Sequence, residues 1–336
     1  MDNQKESRDD TDRDDAIDWE GPGQTHDEGN SARNDGPRAA SEPVATTVPS
    51  RSAKAGSTKI DPARTLIKVM GAEKTLMQIT AEQLSLFEVA PWQDDMRAIP
   101  NDLARTSLFT IRNKKQPRDA FVAHPIYSYN QNVQLLFTGV ELRAEDDELV
   151  WQQLLEYSKH GKLGDVFYFS YYQLCNDLGW PLNGRYYDKA EKCLLRLSSA
   201  TIQMTTALGT LDSMNMATGF KVAGRVPGGK PVCQIRIPED TVYLFSGNNY
   251  SIFMWSKYRK LKPIARRLFD YFASHRTPFP LALDKFQLLC HSKTSRPAKW
   301  AEQTEMACSE LLASGLVTEA WVDKGKVWGR RYKAKE

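Results

Sequence analysis

The sequence of 336 residues has no long apolar run, and no segment approaches the roughly 20 apolar residues that a helix needs to cross a bilayer. Its start, MDNQKESRDDTDRDD, is acidic and lacks the apolar stretch of a signal peptide. The five cysteines are odd in number and include no Cys-x-x-Cys pair, which argues against a disulfide framework or a zinc site. We therefore expect a protein of a reducing cytoplasm, with neither a membrane nor a metal as partner.

Catalytic motifs are absent as well. No Gly-x-x-x-x-Gly-Lys followed by Ser or Thr is present, so a nucleotide-driven motor is not expected. No His-x-His pair accompanies a tyrosine, which argues against a metal-dependent nicking enzyme. Neither a Gly-x-Ser-x-Gly motif nor a cysteine–histidine arrangement indicates a nucleophile. We expect no catalytic activity and no cofactor.

Charge is unevenly distributed along the chain. Residues 1–60 hold 8 Lys and Arg against 13 Asp and Glu, a net charge of −5, whereas the remainder holds 37 against 29, a net charge of +8. With Trp19 as its only aromatic residue, the first segment cannot bury enough apolar area to offset its ordering entropy. We predict a disordered acidic tail over residues 1–60. The basic remainder suits a polyanionic partner, although an ordinary soluble surface is the alternative.

The rest of the chain divides by its hydrophobic pattern. Residues 61–125 are mixed and predict a linker with local helix, followed by one domain over residues 126–250 and another over residues 251–336. Each domain contains, in order, a helix, a short strand, a helix, a turn, a longer helix and a β-hairpin, which is typical of a winged helix-turn-helix. An ungapped offset of 115 residues aligns six identities, mostly at positions that the helical pattern buries. We predict an α+β fold with tandem winged helix-turn-helix domains after a disordered tail.

The first candidate recognition helix spans residues 185–199. At helical spacing its apolar face holds Ala190, Cys193, Leu194 and Leu197. A helix that enters the major groove needs one packed face and another that offers cationic or amide side chains to bases and phosphates. We predict base contacts from Asn183, Arg185, Tyr186 and Lys189, and phosphate contacts from Lys192 and Arg196. A solvated basic face is the alternative.

The second candidate recognition helix spans residues 296–313. Its predicted core face holds Trp300, Thr304, Ala307, Cys308 and Leu311. Residues at or near its start are predicted to contact DNA: Lys293, Ser295, Arg296, Lys299 and Gln303. The hairpin that follows would contact a phosphate backbone through Lys324, Lys326, Arg330 and Arg331. The two hairpin tryptophans, Trp321 and Trp328, are expected in the core rather than stacked on bases.

Two further cationic regions are less specific. Residues 252–336 hold 17 Lys and Arg against 8 Asp and Glu, a net charge of +9, which predicts a steep salt dependence of DNA binding through counterion release. Much of this charge comes from Lys257, Arg259, Lys260, Lys262, Arg266 and Arg267. The cluster RNKKQPR, residues 112–118, is either a phosphate-contacting arm or a solvated linker.

QLSLF, residues 83–87, is the sharpest short motif. It lies between the predicted tail and the predicted body, where a binding peptide would be presented. Leu86 and Phe87 are apolar groups that a flexible segment has no reason to carry unless something buries them. The pattern matches peptides that dock into the pocket of the bacterial β sliding clamp, and its members here are Gln83, Leu84, Ser85, Leu86 and Phe87. A segment that anchors on the protein's own domain is the alternative.

A family resemblance is carried by QLSLFEVAPW, RNKKQPR, TGVELRAEDDELVWQQLLEY, LGWPLNGRYYDKAEKCLLRL, KYRKLKPIARRLFDYFASHR and SGLVTEAWV. In this order, over about residues 83–322, they resemble the TrfA replication initiators of IncP-type broad-host-range plasmids. The first 60 residues and the end after Val322 show no such match. The resemblance implies a bacterial cytoplasmic protein that binds repeated sites (iterons) in double-stranded origin DNA and helps to open an adjacent A+T-rich segment.

Further partners are implied by the same resemblance. They are single-stranded A+T-rich DNA, the host initiator, the replicative helicase, polymerase components and the β sliding clamp, with QLSLF as the clamp-binding peptide. The resemblance also implies a monomer–dimer equilibrium in which monomers bind DNA.

A mechanism and two rivals follow from these expectations. We expect one chain to place its two recognition helices in successive major grooves, so that several bound copies strain and bend the DNA. A tandem winged-helix transcriptional regulator would share both helices but would not need QLSLF. A nicking initiator, the third reading of the sequence, would convert supercoiled origin DNA to nicked circles with a divalent metal.

Overall fold

A computed structural model describes residues 90–113, 115–159, 161–206, 209–223, 232–245 and 249–331. The predictions of a disordered tail over residues 1–60 and of a clamp-binding peptide at residues 83–87 lie outside these residues. Within them, no helix is both long and apolar enough to cross a membrane.

The first half of the described chain alternates short strands and helices. Its elements, in chain order, are β1 (Met96–Pro100), α1 (Asn101–Ala104), β2 (Phe109–Thr110), β3 (Ala120–Ile126), β4 (Gln134–Val140), β5 (Leu142–Arg143), α2 (Asp147–Ser158), β6 (Val166–Ser170), α3 (Tyr171–Leu178) and α4 (Gly184–Ser199).

The second half begins with strands and ends with a helical module. Its elements are β7 (Thr201–Thr206), β8 (Gly209–Asn215), β9 (Thr218–Ala223), β10 (Val232–Arg236), α5 (Thr241–Phe245), β11 (Tyr250–Met254), α6 (Trp255–Tyr258), α7 (Pro263–Ala273), β12 (Leu281–Ala282), α8 (Leu283–Leu289), α9 (Pro297–Ser314), β13 (Val317–Asp323) and β14 (Lys326–Arg331). The mixture of helices and mostly antiparallel sheets confirms the predicted α+β class.

Two parts of the chain have the same element order. The first part contains α2, β6, α3, α4 and the strands β9 and β10, and its sheet has the order β6–β10–β9. The second contains α7, β12, α8, α9 and the hairpin β13–β14, and its sheet has the order β12–β14–β13. We call them the first and second modules. Both have the order helix, strand, helix, helix, hairpin that the sequence indicates.

The first module differs from the second by an insertion. Strands β7 and β8 lie between α4 and β9, and they join β3 and β4 in an antiparallel sheet of order β3–β4–β7–β8. Strand β1 pairs with β11, which lies just before the second module. The N-terminal strands therefore pair with strands far along the sequence.

Residues 90–113 and 115–125, which belong to the stretch for which the sequence predicts a linker, are folded into the body. Strands β1, β2 and β3 form there, and Trp92, Leu103 and Phe109 are buried in the core. Strands β1 and β2 are short and bury most of their residues against distant parts of the chain, so local periodicity does not reveal them. The domain boundaries at residues 126 and 251 stay predictions.

The predicted core faces of both long helices are confirmed. In α4 the buried residues are Ala190, Cys193, Leu194 and Leu197, and in α9 they are Trp300, Thr304, Ala307, Cys308 and Leu311. Gly315 caps the end of helix α9 with a φ of 65°, the left-handed conformation that glycine favours. Helix α3 begins at Ser170, whose hydroxyl accepts the backbone N–H of Gln173 at 3.0 Å.

A buried ionic cluster connects the two modules. Arg267 of α7 is fully buried and donates to Glu148 of α2 at 3.2 Å and to Asp270 at 2.9 Å. Its other nitrogen donates to the backbone carbonyls of Ala104 and Thr106. Arg266 is buried beside the same glutamate. These two arginines, which the sequence analysis counts in the positive charge of residues 252–336, are therefore not available to DNA.

Candidate nucleic-acid interface

Helix α4 begins with a side-chain cap. The Asn183 carboxamide oxygen accepts the backbone N–H of Tyr186 at 3.2 Å, which satisfies one of the free donors at the helix start. The Asn183 side chain is exposed, and so is the side chain of Arg185, two residues further along the chain. This oxygen is committed to the cap, so only the amide N–H groups of Asn183 are available to a base.

Four cations at helical spacing form a basic stripe along α4: Arg185, Lys189, Lys192 and Arg196. Aromatic rings contact the second of them. The Lys189 ammonium lies 4.4 Å from the centre of the Trp180 ring and 6.0 Å from that of Tyr186. Such a cation–π contact holds the charge near the helix start without neutralising it. Lys192, one turn on, is exposed. The structure thus leaves Arg185 and Lys192 open to solvent, with Tyr186 and Lys189 half-buried beside them.

Arg196, the last cation of the stripe, is turned into the protein. Its side chain is only 15% exposed and lies 2.8 Å from Asp147 and 3.6 Å from Asp146, at the start of α2. The prediction that Arg196 contacts phosphate is therefore wrong. The stripe continues along one face, but the end of α4 packs against α2, and the charge there is used within the fold.

The cluster at residues 112–118 also serves the fold. Arg118 donates to Asp147 at 2.6 Å and to Asp146 at 2.9 Å, while Arg112 is buried and pairs with Glu141 at 3.2 Å. For these two arginines both predicted roles, a phosphate-contacting arm and a solvated linker, are wrong. Local composition could not reveal partners that lie 28 and 29 residues away.

The acidic pair at the start of α2 shows why both guanidinium groups are needed. Asp147 is fully buried, and burial together with the neighbouring Asp146 raises the pKa of its carboxyl to about 6, against the pull of Arg196 and Arg118. Cys193 lies near enough to both acids to complete a metal-like trio. Burial raises the pKa of this thiol well above its ordinary value, and the acids are already paired. We therefore interpret the two acids of the trio as partners of Arg118 and Arg196 rather than as ligands of a metal.

At the start of α9 the exposed residues are those that the sequence predicts. Ser295, Arg296 and Lys299 are exposed, with Arg296 as the residue before the first helical turn. Lys293 is exposed and lies 3.8 Å from Asp119, a solvent-screened pair. Gln303 is half-buried and its side-chain oxygen accepts the Thr294 hydroxyl at 3.3 Å.

Beyond its first turn α9 becomes acidic. Glu302 and Glu305 are both exposed there, a feature that the sequence analysis did not weigh. Like charges on a phosphate-facing surface are unfavourable, so the positive surface of this helix is confined to its start. Helix α4 also has an exposed acid after its first turn, Asp188, but Lys192 is exposed beyond it on the third turn. Beyond its first turn, α4 therefore exposes one acid and one cation, whereas the exposed charged residues of α9 are both acidic.

The β13–β14 hairpin divides its cations between two faces. Lys324 and Lys326 are exposed at the turn, and Arg330 is 70% exposed in a surface pair with Glu319 at 3.0 Å. Arg331 points to the other side, where it donates to the backbone carbonyls of Ala273 at 2.7 Å and His275 at 3.0 Å. Arg331 thus ties the hairpin to the end of α7, and its predicted phosphate contact is wrong.

The two hairpin tryptophans occupy the outer face. Trp321 and Trp328 face each other across the strands, with ring centres 5.9 Å apart and planes within 7°. Trp321 is 39% exposed, so the expectation that it belongs to the core is wrong. The opposite face of the hairpin packs on α7, where a Cβ atom at Gly329 would clash with the Phe272 ring.

Comparison with known proteins identifies relatives of this chain. The family model described as TrfA protein matches residues 58–331. The plasmid replication initiator protein TrfA of Escherichia coli is 52% identical over 260 residues, which cover 76% of this chain and 67% of that protein.

Two solved structures are similar at low sequence identity. One is a crystal structure of selenomethionine derivatives of domains 2 and 3 of RctB, with a TM-score of 0.47 and 12% identity, covering 70% of this chain and 99% of that chain. The other is a crystal structure of RctB domains 2–3, with a TM-score of 0.43 and 10% identity, covering 66% of this chain and 92% of that chain. Both TM-scores are too low for a shared fold to follow.

Proposed function

The chain belongs to the TrfA family, and we propose that it initiates plasmid replication by binding iterons in duplex origin DNA through its two modules. Each module would act as a winged helix-turn-helix, with α4 and the start of α9 as the recognition helices. Placed in successive major grooves on one side of the duplex, these helices would lie roughly 34–36 Å apart, about one turn of DNA.

The observation that carries this proposal is the two-sided character of α4. Its four core residues are fully buried, whereas Arg185 and Lys192 project into solvent from the other side. Asn183 and Arg185 stand at the end of the helix that enters a groove first in proteins of this kind. Arginine is suited to guanine because its two parallel N–H groups meet O6 and N7 together. We therefore assign base contacts to Asn183 and Arg185 and a phosphate contact to Lys192.

The second module would bind by the tip of its helix. Ser295, Arg296 and Lys299 surround the first turn of α9, where the helix dipole also favours an anion. The exposed Glu302 and Glu305 would keep the rest of the helix away from the phosphates. This module would therefore contribute affinity mainly through phosphates, assisted by Lys324, Lys326 and Arg330 of the hairpin.

Opening of the origin would follow from binding energy rather than from nucleotide hydrolysis. Several copies bound to adjacent iterons would bend the DNA, and A+T-rich steps, which unstack easily, would open first. We propose that the protein is not an enzyme, that it acts in the bacterial cytoplasm, and that it exchanges between dimers and DNA-binding monomers. Host initiator and helicase would be recruited to the opened segment.

Recruitment of the β sliding clamp would use residues 83–87. Leu86 and Phe87 would fill the apolar clamp pocket, while Gln83 would orient the peptide through its amide. Pull-down of purified clamp by the full chain, lost when Leu86→Ala and Phe87→Ala are combined, tests this role. A clamp that does not bind would favour a transcriptional regulator instead.

DNase footprinting on the plasmid's own origin is the experiment that tests the proposal. We expect protection over two successive major grooves at each iteron, and loss of protection with Arg185→Ala. Lys260→Ala is the matched control, because Lys260 is an exposed cation outside both recognition helices and the hairpin. Protection of a single groove segment, or an Arg185→Ala footprint equal to that of the control, would contradict the proposal.

A further inference from the structure

The stacked tryptophans of the hairpin have no role in the duplex binding proposed above, although they lie between two cations, Lys326 and Arg330, that do. Three cross-strand pairs follow one another on the outer face of β13 and β14: Glu319 with Arg330, Trp321 with Trp328, and Asp323 with Lys326. The aromatic pair is the central one, flanked on both sides by charged residues. The ring therefore offers a large apolar contact area at the surface, with cations and acids beside it.

The geometry of the pair leaves one indole face open. The Trp328 ring lies parallel to that of Trp321, so it covers one face of the exposed ring. A side chain that intercalates between two base pairs needs both of its faces free. Trp321 has only one, so it can stack on a single base from one side but cannot enter an intact duplex step.

An unpaired base is the ligand that fits an open face of this kind. In a duplex both faces of each base are covered by the neighbouring base pairs, whereas a splayed base offers a free π-face that stacks on an aromatic side chain with little regard to sequence. The exposed Lys324 and Lys326 at the turn would attract the phosphates of such a strand, although Glu319 and Asp323 on the same face reduce this attraction. The affinity should therefore depend more on stacking than on charge.

We propose that the free face of Trp321, backed by Trp328, is a stacking site for one unpaired base of the opened origin strand. The proposal rests on the function proposed above, because an opened strand is present only where bound copies have melted the A+T-rich segment. It places the site on the second module, whose helix has the smaller positive surface for duplex DNA. The cations at the hairpin turn would then bind duplex phosphates in a copy on an intact iteron, and the released strand in a copy beside the melted segment.

The test compares single-strand and duplex binding by the full chain. The probes are an oligothymidylate of about 20 nucleotides, longer than the roughly 4–16 nucleotides that one compact binding site covers, and a duplex iteron. The variants are Trp321→Val, which keeps a strand-forming residue but removes the ring, and Trp321→Phe, which keeps a smaller ring. Tyr168→Val is the matched control, because Tyr168 is an exposed aromatic residue on β6 of the first module.

We expect Trp321→Val to weaken single-strand binding by roughly 5- to 100-fold and Trp321→Phe to restore most of it. Tyr168→Val should bind the single strand as the unaltered protein does. Single-strand binding that is unchanged in Trp321→Val would overturn the proposal, as would an equal loss on the duplex iteron. If Trp321→Val does not fold, quenching of tryptophan fluorescence by the oligonucleotide decides: quenching should occur in the unaltered protein and weaken in Trp321→Phe, and its absence in the unaltered protein would overturn the proposal.

The two proposals fail in different ways. If duplex iterons do not bind but single strands do, and Trp321 is needed for it, the stacking site stands and the function proposed above falls. If iterons bind and Trp321 has no effect on the single strand, only the stacking site falls.

Discussion

Arg196 in the last turn of α4 lies 2.8 Å from a carboxylate oxygen of Asp147, which is fully buried at the start of α2. The pair divides the basic stripe of α4 into an outer part, which faces solvent, and an inner end, which holds two helices together. Lys192 is the last exposed cation of the outer part. The same helix therefore offers one lysine and one arginine, Lys192 and Arg196, that are one turn apart. Substitution of the lysine should affect DNA binding, and substitution of the arginine should affect stability.

Replacement of Arg196 should reduce stability rather than DNA affinity. Arg196→Ala removes one of the two guanidinium groups that bind Asp147 and leaves a buried acceptor partly unpaired, at a cost of about 1–3 kcal/mol. Lys192→Ala should leave the free energy of unfolding within about 0.5 kcal/mol of the original, since the side chain is exposed. Urea unfolding of both variants measures the difference.

Iteron binding measured on the same two variants gives the reverse order. Lys192→Ala should reduce the slope of log K against log salt by about 1, as expected for the loss of one phosphate contact. Arg196→Ala should leave that slope unchanged below the temperature at which it unfolds. A reduced slope for Arg196→Ala would return this residue to the DNA-contacting surface.

Replacement of Arg267 should destabilise the whole described body. Its guanidinium bridges Glu148 and Asp270, both fully buried, and burial raises the pKa of Asp270 well above its ordinary value even with Arg267 beside it. Arg267→Ala would leave two buried acids without their shared cation, a loss of about 3–5 kcal/mol. Denaturant unfolding should register this loss, whereas Lys260→Ala should cost less than about 0.5 kcal/mol. A cost for Arg267→Ala as small as that of the control would show that the cluster does not hold the modules together.

Local physical rules predicted the parts of the structure that depend on neighbours in sequence. The 3.6-residue period placed Cys193 and Leu197 in the core, as it did Cys308 and Leu311 of α9. The glycine at position 325 in the β13–β14 turn, with a φ of 72°, likewise agrees with the predicted hairpin. These features need no knowledge of the rest of the fold.

The errors arose where the partner is far away in sequence. Arg196 meets an acid 49 residues earlier, and Arg267 meets one 119 residues earlier. A cation on an amphipathic helix gives no local sign of whether its outer face meets water or another helix. The prediction that Trp321 lies in the core was wrong for a different reason. Apolar character alone predicted burial, but the position of Trp321 on its strand turns the side chain outward. The predicted contact residues are therefore exposed at the helix starts and packed within the fold at the inner ends, and the DNA contacts at the helix starts stay predictions.

Acidification should destabilise the protein through two half-buried histidines. Burial, together with Arg105 and Arg331, lowers the pKa of His275, and burial, together with Lys293 and Arg112, lowers that of His291, where Glu141 and Asp119 pull the other way. A histidine in the unfolded chain binds its proton near pH 6.5, whereas these two histidines in the folded protein bind theirs at a lower pH. Between the two pKa values the unfolded state therefore binds more protons than the folded state. The two histidines should therefore lower the stability as the pH drops below about 6.5, whereas the buried Asp147, whose carboxyl pKa is raised to about 6, contributes in the opposite direction. Thermal unfolding from pH 7.5 to 5.5 should show a smaller decrease in Tm for His275→Gln combined with His291→Gln than for the original chain.

The acidic part of α9 gives a prediction in the direction of tighter binding. Glu302→Gln and Glu305→Gln remove exposed negative charge beyond the first turn of the proposed recognition helix while keeping side-chain size. If the start of α9 approaches phosphates, removal of this repulsion should raise affinity for duplex iterons at low salt, and screening should abolish the gain at high salt. Glu239→Gln is the control, an exposed acid between β10 and α5. Titrations at two salt concentrations measure the effect, and an affinity gain equal to that of the control, or one that persists at high salt, would mean that α9 does not face the DNA.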